Sequence, residues 1–481
     1  MIDHQNTIID FNGAHLKLKP NGLKKYSIVE IIDGAKNLRI TNGTIQGDKE
    51  DHDFKTNRGS HEWGHGLVVH GGSELEIDHL TVSGVTGDGV STRFTGARNR
   101  EELVSKILHS VYPRDLESGG FSAAGGKIDN GETIRSIAPF DLAKSEGEFE
   151  FGYSTGYSGY PFIQDREYRA FFFDESQQFL ESQRCLQFRK VQVPPAARFV
   201  HLEFNQSNVP DRPLHAGAGR KSFAGRISDY KGSVDVHFHH NKLVANRRLG
   251  MGYCGGRRWL IEENHFVQNG GVAPGYGIDL EDGWESMQDV VIRNNYFKEN
   301  QRGDLVICAG TELLIEGNHF EGNVAVHGRP HNYTFRKNHF TGGHIGYTTR
   351  TGVAEIHDNY YENCTLSIRF DTAAVADGLR RDPGESVRTP PLKLRNETLR
   401  SVKKLTGTYV DFANSSFEDV KFVAGKETQL MLFKGGVVES CSALFEATGP
   451  PVLFQADFCQ GELVEEGPGR SRLKPQNGNS K

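Results

Sequence analysis

The feature of this chain that most constrains its fold is a short sequence pattern that recurs along its central third. Each copy consists of an alternating apolar and polar run, an asparagine and, in most copies, an aromatic residue two positions later. Repeats of about 20 to 30 residues mark a solenoid, in which each unit buries its apolar side only by stacking on its neighbours. The repeated asparagines, spaced by 23, 31, 23, 20 and 21 residues, are Asn241, Asn264, Asn295, Asn318, Asn338 and Asn359.

The repeats have the alternating residue pattern of β-strands. Ile or Leu alternates with Glu, Arg or Lys within each run, as a strand with one buried side requires. Helical periodicity is absent from these runs, and Gly and Asn separate them. The sequence therefore predicts an all-β fold, a right-handed parallel β-helix with one coil per repeat. The asparagine is expected at the turn, since Asn tolerates left-handed backbone, and stacked asparagines could bond from coil to coil.

The repeat pattern divides the 481-residue chain into five segments. Coils are predicted for residues 1–98 and 233–370, weaker coils for 371–467, and a polar, disordered tail for 468–481. The pattern stops over residues 99–232, which is too long for a structureless loop and indicates an inserted module. Strand-like runs at about 134–212 predict a β-sandwich there. This part resembles the jelly-roll carbohydrate-binding modules of extracellular glycan enzymes, although a purely structural sandwich fits the same runs.

Charge and hydropathy exclude several classes of partner. Lys and Arg number 56 against 62 Asp and Glu, a net charge of -6, so no nucleic-acid footprint and no basic membrane-binding patch is indicated. The N-terminus has no apolar core of a signal peptide, and no apolar run reaches the length of a membrane span. We expect no nucleic-acid partner, no membrane insertion and no signal peptide.

The longest coil holds the best candidate for catalytic chemistry. The step from Asn264 to Asn295 is 31 residues, and functional loops are usually additions to a rigid scaffold. If the apolar residues around them point inward, Asp279 and Glu281 point outward together, about 6.6 Å apart along the strand. Inverting glycosidases hold their acid and base about 6.5–9.5 Å apart, so the pair suits glycosidic hydrolysis. The same oxygens also suit Ca²⁺, and a plain solvated strand face fits them too.

Aligned repeats place further polar residues in a similar phase. Asp88 and Asp304 are candidate supporting carboxylates, while Arg247 and Arg248 could anchor acidic groups of a substrate or merely form ion pairs that hold the stack. The long coil adds three candidate substrate contacts: Tyr276, Asp282 and Trp284.

One motif is misleading. His61, Glu62 and His65 match the HExxH string of zinc proteases, which functions only on a helix, where the two histidines share a face. Glycines interrupt this copy and a strand-like run follows it, so we assign no metal site here. The three residues are interpreted as candidates for a substrate groove.

The chain resembles the pectate-lyase-like β-helix superfamily, in the branch found in phage tailspikes and prophage-encoded proteins. The resemblance covers roughly residues 5–98 and 233–365 and is carried by the five stretches 40–48, 61–66, 87–90, 246–248 and 277–282. It implies a homotrimer on a virion surface or in the extracellular space. The superfamily includes lyases, hydrolases, epimerases, phosphodiesterases and non-catalytic adhesins. The ordered motifs of polygalacturonases and the arginine base of pectate lyases are not identified here.

These observations favour a polysaccharide depolymerase that acts on a bacterial surface or capsular glycan. Hydrolysis by the Asp279 and Glu281 pair is slightly favoured and requires no cofactor. The alternatives are a Ca²⁺-dependent polysaccharide lyase, a teichoic-acid phosphodiesterase, and a non-catalytic receptor-binding spike or adhesin.

Overall fold

A computed structural model describes most of the chain. The described residues are 1–92, 107–152, 163, 167–187, 189–207, 209, 225–228, 232–281, 287–327, 330–349, 353–370, 392–407 and shorter stretches between 410 and 475. Apart from one 3-10 turn at Pro113–Asp115, the regular elements in these residues are β-strands. The predicted all-β class is confirmed.

The first coils are built from long strands that alternate buried and exposed residues. Their strands are β1 (Gln5–Asp10), β2 (His15–Lys17), β3 (Lys25–Ile31), β4 (Lys36–Gln46), β5 (Trp63–Val69), β6 (Ser73–Ser83) and β7 (Val90–Thr92).

The insertion follows β7 and forms a sandwich of antiparallel sheets. Its strands are β8 (Ile107–Val111), β9 (Leu116–Ser118), β10 (Gly120–Phe121), β11 (Lys127–Ile128), β12 (Ile134–Ser136), β13 (Phe140–Asp141), β14 (Glu148–Gly152), β15 (Glu167–Phe173), β16 (Phe179–Leu186), β17 (Val191–Gln192), β18 (Phe199–Phe204) and β19 (Gly225–Ser228). One sheet runs β16-β15-β18-β12-β9 with β13 on β18, and the other runs β17-β14-β19-β8. Phe151, Tyr168 and Phe204 pack in the core between them.

The central coils are the repeats seen in the sequence. Their strands are β20 (Val234–His239), β21 (Lys242–Val244), β22 (Met251–Tyr253), β23 (Gly256–Glu262), β24 (His265–Val267), β25 (Tyr276–Leu280), β26 (Met287–Arg293), β27 (Tyr296–Lys298), β28 (Gly303–Ile307), β29 (Thr311–Glu316), β30 (His319–Phe320), β31 (Val324–Val326), β32 (His331–Arg336), β33 (His339–Phe340), β34 (His344–Thr349), β35 (Ala354–His357), β36 (Tyr360–Glu362) and β37 (Thr365–Phe370).

The coils continue toward the C-terminus with shorter strands. These are β38 (Leu392–Arg395), β39 (Thr398–Arg400), β40 (Lys404–Gly407), β41 (Val410–Ala413), β42 (Ser416–Glu418), β43 (Lys421–Ala424), β44 (Leu430–Lys434), β45 (Leu444–Ala447), β46 (Leu453–Asp457), β47 (Gly461–Gly467) and β48 (Arg470–Pro475).

Each coil contributes one strand to each of three parallel faces. Face one contains β3, β5, β7, β22, β25, β28, β31, β34 and β37 in spatial order, followed by β40, β43 and β45. Face two contains β20, β23, β26, β29, β32 and β35, and face three contains β21, β24, β27, β30, β33 and β36, with the long strands β4 and β6 bending across both. One apolar core fills the space between the faces.

The aromatic residue two positions after the asparagine lies inside this core. Phe266, Phe297, Phe320, Phe340 and Tyr361 stack face to face along the axis, with ring centroids 4.8–5.2 Å apart. The spacing matches the separation of hydrogen-bonded strands, so a planar ring at this position meets its counterpart in the next coil.

The corner asparagines form the predicted ladder but do not take up the left-handed backbone. The Nδ2 of Asn264 donates to the Oδ1 of Asn295, and the Nδ2 of Asn295 donates to the Oδ1 of Asn318, each at 3.0 Å. Positive φ is found instead one residue earlier, at Glu263 (55°) and Asn294 (54°). The expectation that the ladder asparagine itself turns the chain was wrong, because its side chain must point inward to satisfy the buried corner.

Two expected boundaries differ from the structure. The sandwich extends beyond residues 134–212, since β8, β9 and β19 all belong to its sheets. The tail from residue 468 was expected to be disordered, but β48 pairs antiparallel with β47 and with β45. This pairing covers the edge of the last strand of face one, which would otherwise expose unpaired backbone groups. Residues 371–391 and 476–481 lie outside the described residues.

Candidate functional site

The outer surface of face one carries a row of small side chains along the solenoid. In register across neighbouring strands, the row consists of Ser91, Gly252, Asp279, Val306, Ala325, Gly346 and Ser367. Seven strands at about 4.8 Å spacing make this row roughly 29 Å long, and we refer to the row as the groove. Asp279 is the one carboxylate in this row, and it is 3% exposed.

Asp88 reaches the groove from the bend before β7. Ser91 is the residue of β7 that is in register with Gly252 and Asp279. Asp88 comes three residues before Ser91 in the sequence, so it does not occupy the same register position as Asp279. Its carboxylate instead extends over Gly252, where an added Cβ would sit 2.8 Å from the Asp88 Oδ2. Because Gly252 is the direct neighbour of Asp279 in the sheet, the absence of a side chain there brings the two carboxylates together on the groove floor.

Arg248 joins the carboxylates into one cluster. Its Nη1 contacts Asp88 Oδ1 at 2.9 Å and its Nη2 contacts Glu281 Oε2 at 3.2 Å. Burial lowers the pKa of Arg248, but the charges of Asp88 and Glu281 outweigh it, and the net shift is upward. Arg248 is therefore a permanent cation held between two acids, one 2% exposed and the other at the rim.

The thiol of Cys254 lies near all three acidic side chains. Its pKa is raised first by burial and then by the charges of Glu281, Asp88 and Asp279. Asp279 also raises the pKa of Tyr276, after the effect of burial. Tyr276 thus borders the cluster on the side of Asp279.

His65 joins the cluster through Asp88. Its Nδ1 accepts the backbone N–H of Asp88 at 3.1 Å and lies 3.4 Å from the Asp88 Oδ2. The neighbouring Gly64 and Gly66 allow this close approach, since a Cβ on Gly66 would lie 2.4 Å from a core valine. His65 is a buried positioning residue for the bend that carries Asp88.

The sequence did not single out two aromatic residues that border the cluster. Trp63 is 42% exposed, and the Arg248 guanidinium lies 5.9 Å from its ring centroid. Phe54 is 39% exposed, and the Arg247 guanidinium lies over it at 4.7 Å. Both precede the insertion in sequence, whereas the arginines follow it, so the pairing is created by the fold. Exposed aromatic rings beside cations suit a sugar surface with charged groups.

Arg247 is anchored without a carboxylate partner among the described residues. Its Nη1 donates to the carbonyls of Ser60 and Thr86 at 2.9 and 3.3 Å, and burial lowers its pKa. Glu62 lies near enough to raise that pKa in part. Arg247 is thus a fixed cation at the edge of the groove, and Glu62 is half-buried beside it.

His61 belongs to a buried network behind the groove. His52 contacts Asp48 at 2.8 Å through Nδ1 and His61 at 2.9 Å through Nε2. Tyr26 donates to the same Asp48 at 3.1 Å, and burial raises its pKa to about 12. The side chain of His61 therefore tethers the loop that carries Phe54 and does not face the groove as expected. His61 and His65 thus have different partners, His52 and Asp88 respectively.

Asp304 does not join the carboxylate cluster. It accepts hydrogen bonds from the Asn300 Nδ2 at 3.0 Å and from the backbone N–H of Gly322, and it ends a second ladder of Asn246, Asn269 and Asn300. Asp304 comes two residues before Val306 in the sequence, and Val306 is the residue that pairs with Asp279 in the sheet. The proposed supporting role of Asp304 in catalysis is therefore replaced by a structural one at the corner. Asp282 and Trp284 lie outside the described residues.

Comparison with known proteins supports the fold. Residues 226–340 match a family model described as the right-handed β-helix region. Together with the parallel strand pairings, this decides the architecture. The coils of this chain form a right-handed parallel β-helix.

Two relatives from Bacillus subtilis strain 168 match short segments. The SPbeta prophage-derived uncharacterized protein YorA is 35% identical over 107 residues, which are 22% of this chain and 18% of YorA. The uncharacterized protein YclG is 30% identical over 89 residues, which are 18% of this chain and 15% of YclG. The chain thus spans less than a fifth of either relative in these matches.

The solved structures that align with this chain include phage tailspikes and a glycoside hydrolase. The tailspike gp61 of Pseudomonas phage phi297 aligns with a TM-score of 0.34 at 10% identity, over 89% of this chain and 76% of its own. The catalytic unit of a GH87 α-1,3-glucanase from Streptomyces thermodiastaticus aligns with a TM-score of 0.30 at 10% identity, over 67% and 87%. Within the described residues, no helix is long and apolar enough to cross a membrane.

Proposed function

We propose that this protein cleaves a polysaccharide in the groove on face one, by carboxylate acid/base hydrolysis. The observation that carries the proposal is the cluster in which Arg248 bridges Asp88 and Glu281 next to Asp279. The cluster lies toward the Ser91 end of the groove, whose floor consists mainly of small side chains that would let an extended chain cross it. Exposed Trp63 and the arginine pair supply stacking and charge at one end.

The proposed roles follow from the position of each carboxylate in the groove. Glu281 lies at the rim with its carboxylate held by Arg248, so it is placed to accept a proton from an attacking water. Asp279, on the groove floor, is placed to donate a proton to the glycosidic oxygen as the bond from the anomeric carbon to that oxygen breaks. Asp88 and Arg248 orient the pair, and Arg247 would bind an anionic group of the glycan.

The lyase, phosphodiesterase and adhesin alternatives use the same groove. A lyase would need Ca²⁺ bound by hard oxygen ligands, for which Asp279 and Glu281 are the candidate carboxylates. A phosphodiesterase would use the arginine pair on phosphate. An adhesin would bind through Trp63, Phe54 and Arg247 without cleavage. By analogy with its tailspike resemblance, we expect a homotrimer on a virion or outside the cell, and native mass spectrometry measures the subunit number.

The decisive experiment compares wild type with Asp279→Asn and Glu281→Gln on purified capsular polysaccharides, teichoic acids, polygalacturonate and α-1,3-glucan. Reducing ends, ultraviolet absorbance of unsaturated products and released phosphate are followed together, with and without a chelator. Loss of one acid or base is expected to lower kcat/KM by about 10²–10⁴-fold. Glu355→Gln, an exposed substitution on face two, is the matched control and should cleave like wild type.

The signal that appears identifies the chemistry. New reducing ends without ultraviolet absorbance, insensitive to chelator, support hydrolysis. Chelator-sensitive absorbance supports the lyase, and released phosphate supports the phosphodiesterase. Equal activity of both variants and wild type would overturn the assignment of the cluster, and binding without cleavage on every glycan would establish the adhesin.

A further inference from the structure

A second group of polar side chains lies on face two, outside the groove. Glu76 and Asp78 on β6 lie opposite His237 and His239 on β20, in direct register. One ligand atom from each of Glu76, Asp78 and His239 lies within 4.8 Å of the other two. We propose that these three residues form a binding site for a divalent transition-metal ion, and that Zn²⁺ is the ion that fits best.

The distances fit tetrahedral coordination. Zinc binds imidazole nitrogen and carboxylate oxygen at about 2.0–2.2 Å, so two ligand atoms in a tetrahedral shell are about 3.3–3.5 Å apart. The Nε2 of His239 lies 3.3 Å from the Oε1 of Glu76. The two atoms are therefore already separated by one edge of such a shell, and Asp78 offers a third ligand with a fourth position left for water.

An outer layer of contacts holds the ligands in place. Arg39 binds both oxygens of Asp78, at 3.0 and 2.7 Å, and also lies 3.5 Å from Glu76. The Nδ1 of His239 contacts the Nδ1 of His240 at 2.8 Å, which leaves the Nε2 directed toward Glu76. His240 in turn contacts Glu263 at 2.6 Å. Metal-binding histidines and carboxylates generally have such partners, which fix the ring and its tautomer.

The local charge is compatible with a cation. Glu76 and Asp78 carry two negative charges against one positive charge on Arg39. Glu262, which contacts His237 at 2.7 Å, adds a further negative charge that Arg293 shares. A divalent ion would therefore enter a site that is acidic overall, in place of the proton that otherwise links His239 to Glu76.

The test is isothermal titration of the full-length, chelator-treated protein with ZnCl₂, followed by thermal melting with and without zinc. Wild type is expected to bind one zinc per chain and to melt at a higher temperature when zinc is present. His239→Ala and the milder Glu76→Gln should each weaken binding by at least about 10-fold and remove the zinc-dependent shift. CaCl₂ serves as a comparison ion and should bind more weakly, because one ligand is imidazole.

The matched control is His357→Ala. His357 lies on the same outer row of face two and contacts Asp358 at 2.7 Å, as His79 contacts Asp78, but lacks the three-ligand cluster. Zinc binding should survive this change. No zinc binding by wild type, or equal binding by wild type and both ligand variants, would overturn the proposal. Glycan cleavage by face one is measured separately, so failure of either proposal leaves the other intact.

Discussion

At the scale of single residues, each corner of the coils contains two adjacent residues with different structural roles. The ladder asparagines are buried; each accepts from the preceding coil through Oδ1 and donates to the next coil through Nδ2, while the residue before each adopts positive φ. Glu263 and Lys337 take this conformation at their corners although Asn or Gly would do so at lower cost. Stacking therefore selects the asparagine, and the turn accepts almost any residue beside it.

Asp304 ends the second ladder and gives a residue-scale prediction. Burial raises its pKa to about 6, against about 4 for an unfolded aspartate. Between these values the folded state binds more protons than the unfolded state, so this group lowers stability as the pH rises from 4 to 6. Relative to Asp304→Asn, wild type should lose up to about 3 kcal/mol of unfolding free energy between pH 4 and pH 7.

Denaturant unfolding at several pH values measures this difference. The informative quantity is the wild-type free energy minus that of the variant, because other titrating groups cancel. A difference that stays constant from pH 4 to pH 7 would show that Asp304 titrates normally.

At the scale of elements, the inserted sandwich is fastened to the coils by an ion pair. Glu150 on β14 contacts Arg257 on β23, and both side chains are at most 5% exposed. A second pair, Arg189 with Asp289, links the module to β26 at 2.5 Å. These contacts fasten the module to the first residues of two neighbouring face-two strands, β23 and β26.

Removing one partner of the buried pair should be costly, since it leaves an uncompensated buried charge. Glu150→Ala is expected to lower the unfolding free energy by about 3–5 kcal/mol. The double change Glu150→Leu with Arg257→Leu should cost less than the single one, because no charge remains. Chemical denaturation measures both.

Arg258→Ala provides the control for this experiment. Arg258 is the next residue along β23 and pairs with Asp235 on the surface, so its loss should cost no more than about 1 kcal/mol. Equal losses for Glu150→Ala and Arg258→Ala would contradict the anchoring role of the buried pair.

At the scale of the whole molecule, the insertion interrupts the sequence but not the stack. β6 pairs directly with β20, and β7 pairs directly with β22. In the next coil, β22 is joined to β23 by only two residues, Cys254 and Gly255. A short link can therefore connect the two faces in place of the module.

Replacement of residues 93–231 by a four-residue Gly-Ser linker should accordingly leave a folded β-helix. The variant also needs Arg257→Leu, because Glu150 would be gone. We expect a β-rich circular dichroism spectrum and a cooperative melt at a lower temperature than wild type, since the contacts with the module are lost. An unfolded or aggregated product would show that the module is required to assemble the coils.

The sequence by itself determined the solenoid, the asparagine ladder and the presence of an insertion. The first two follow from a short pattern that recurs every 20 to 31 residues, and the insertion is the long gap in that pattern. It also singled out Asp279 and Glu281 as candidates, because the long coil departs from that pattern, and Arg248 by alignment of the repeats. The alignment of repeats placed Asp304 beside Asp279, whereas the residue in register with Asp279 is Val306, two positions later. The sequence alone does not show the strand register that reveals this offset.

Only the tertiary structure decided which groups meet across the insertion. Arg248 lies 160 residues from Asp88, yet the two are in contact, and the same stacking brings Glu76 and Asp78 to His239. Trp63 and Phe54 join the arginines for the same reason. Strand pairing fixes these neighbours through the backbone, so no local pattern records them, and both candidate sites lie where the interrupted coils close on each other.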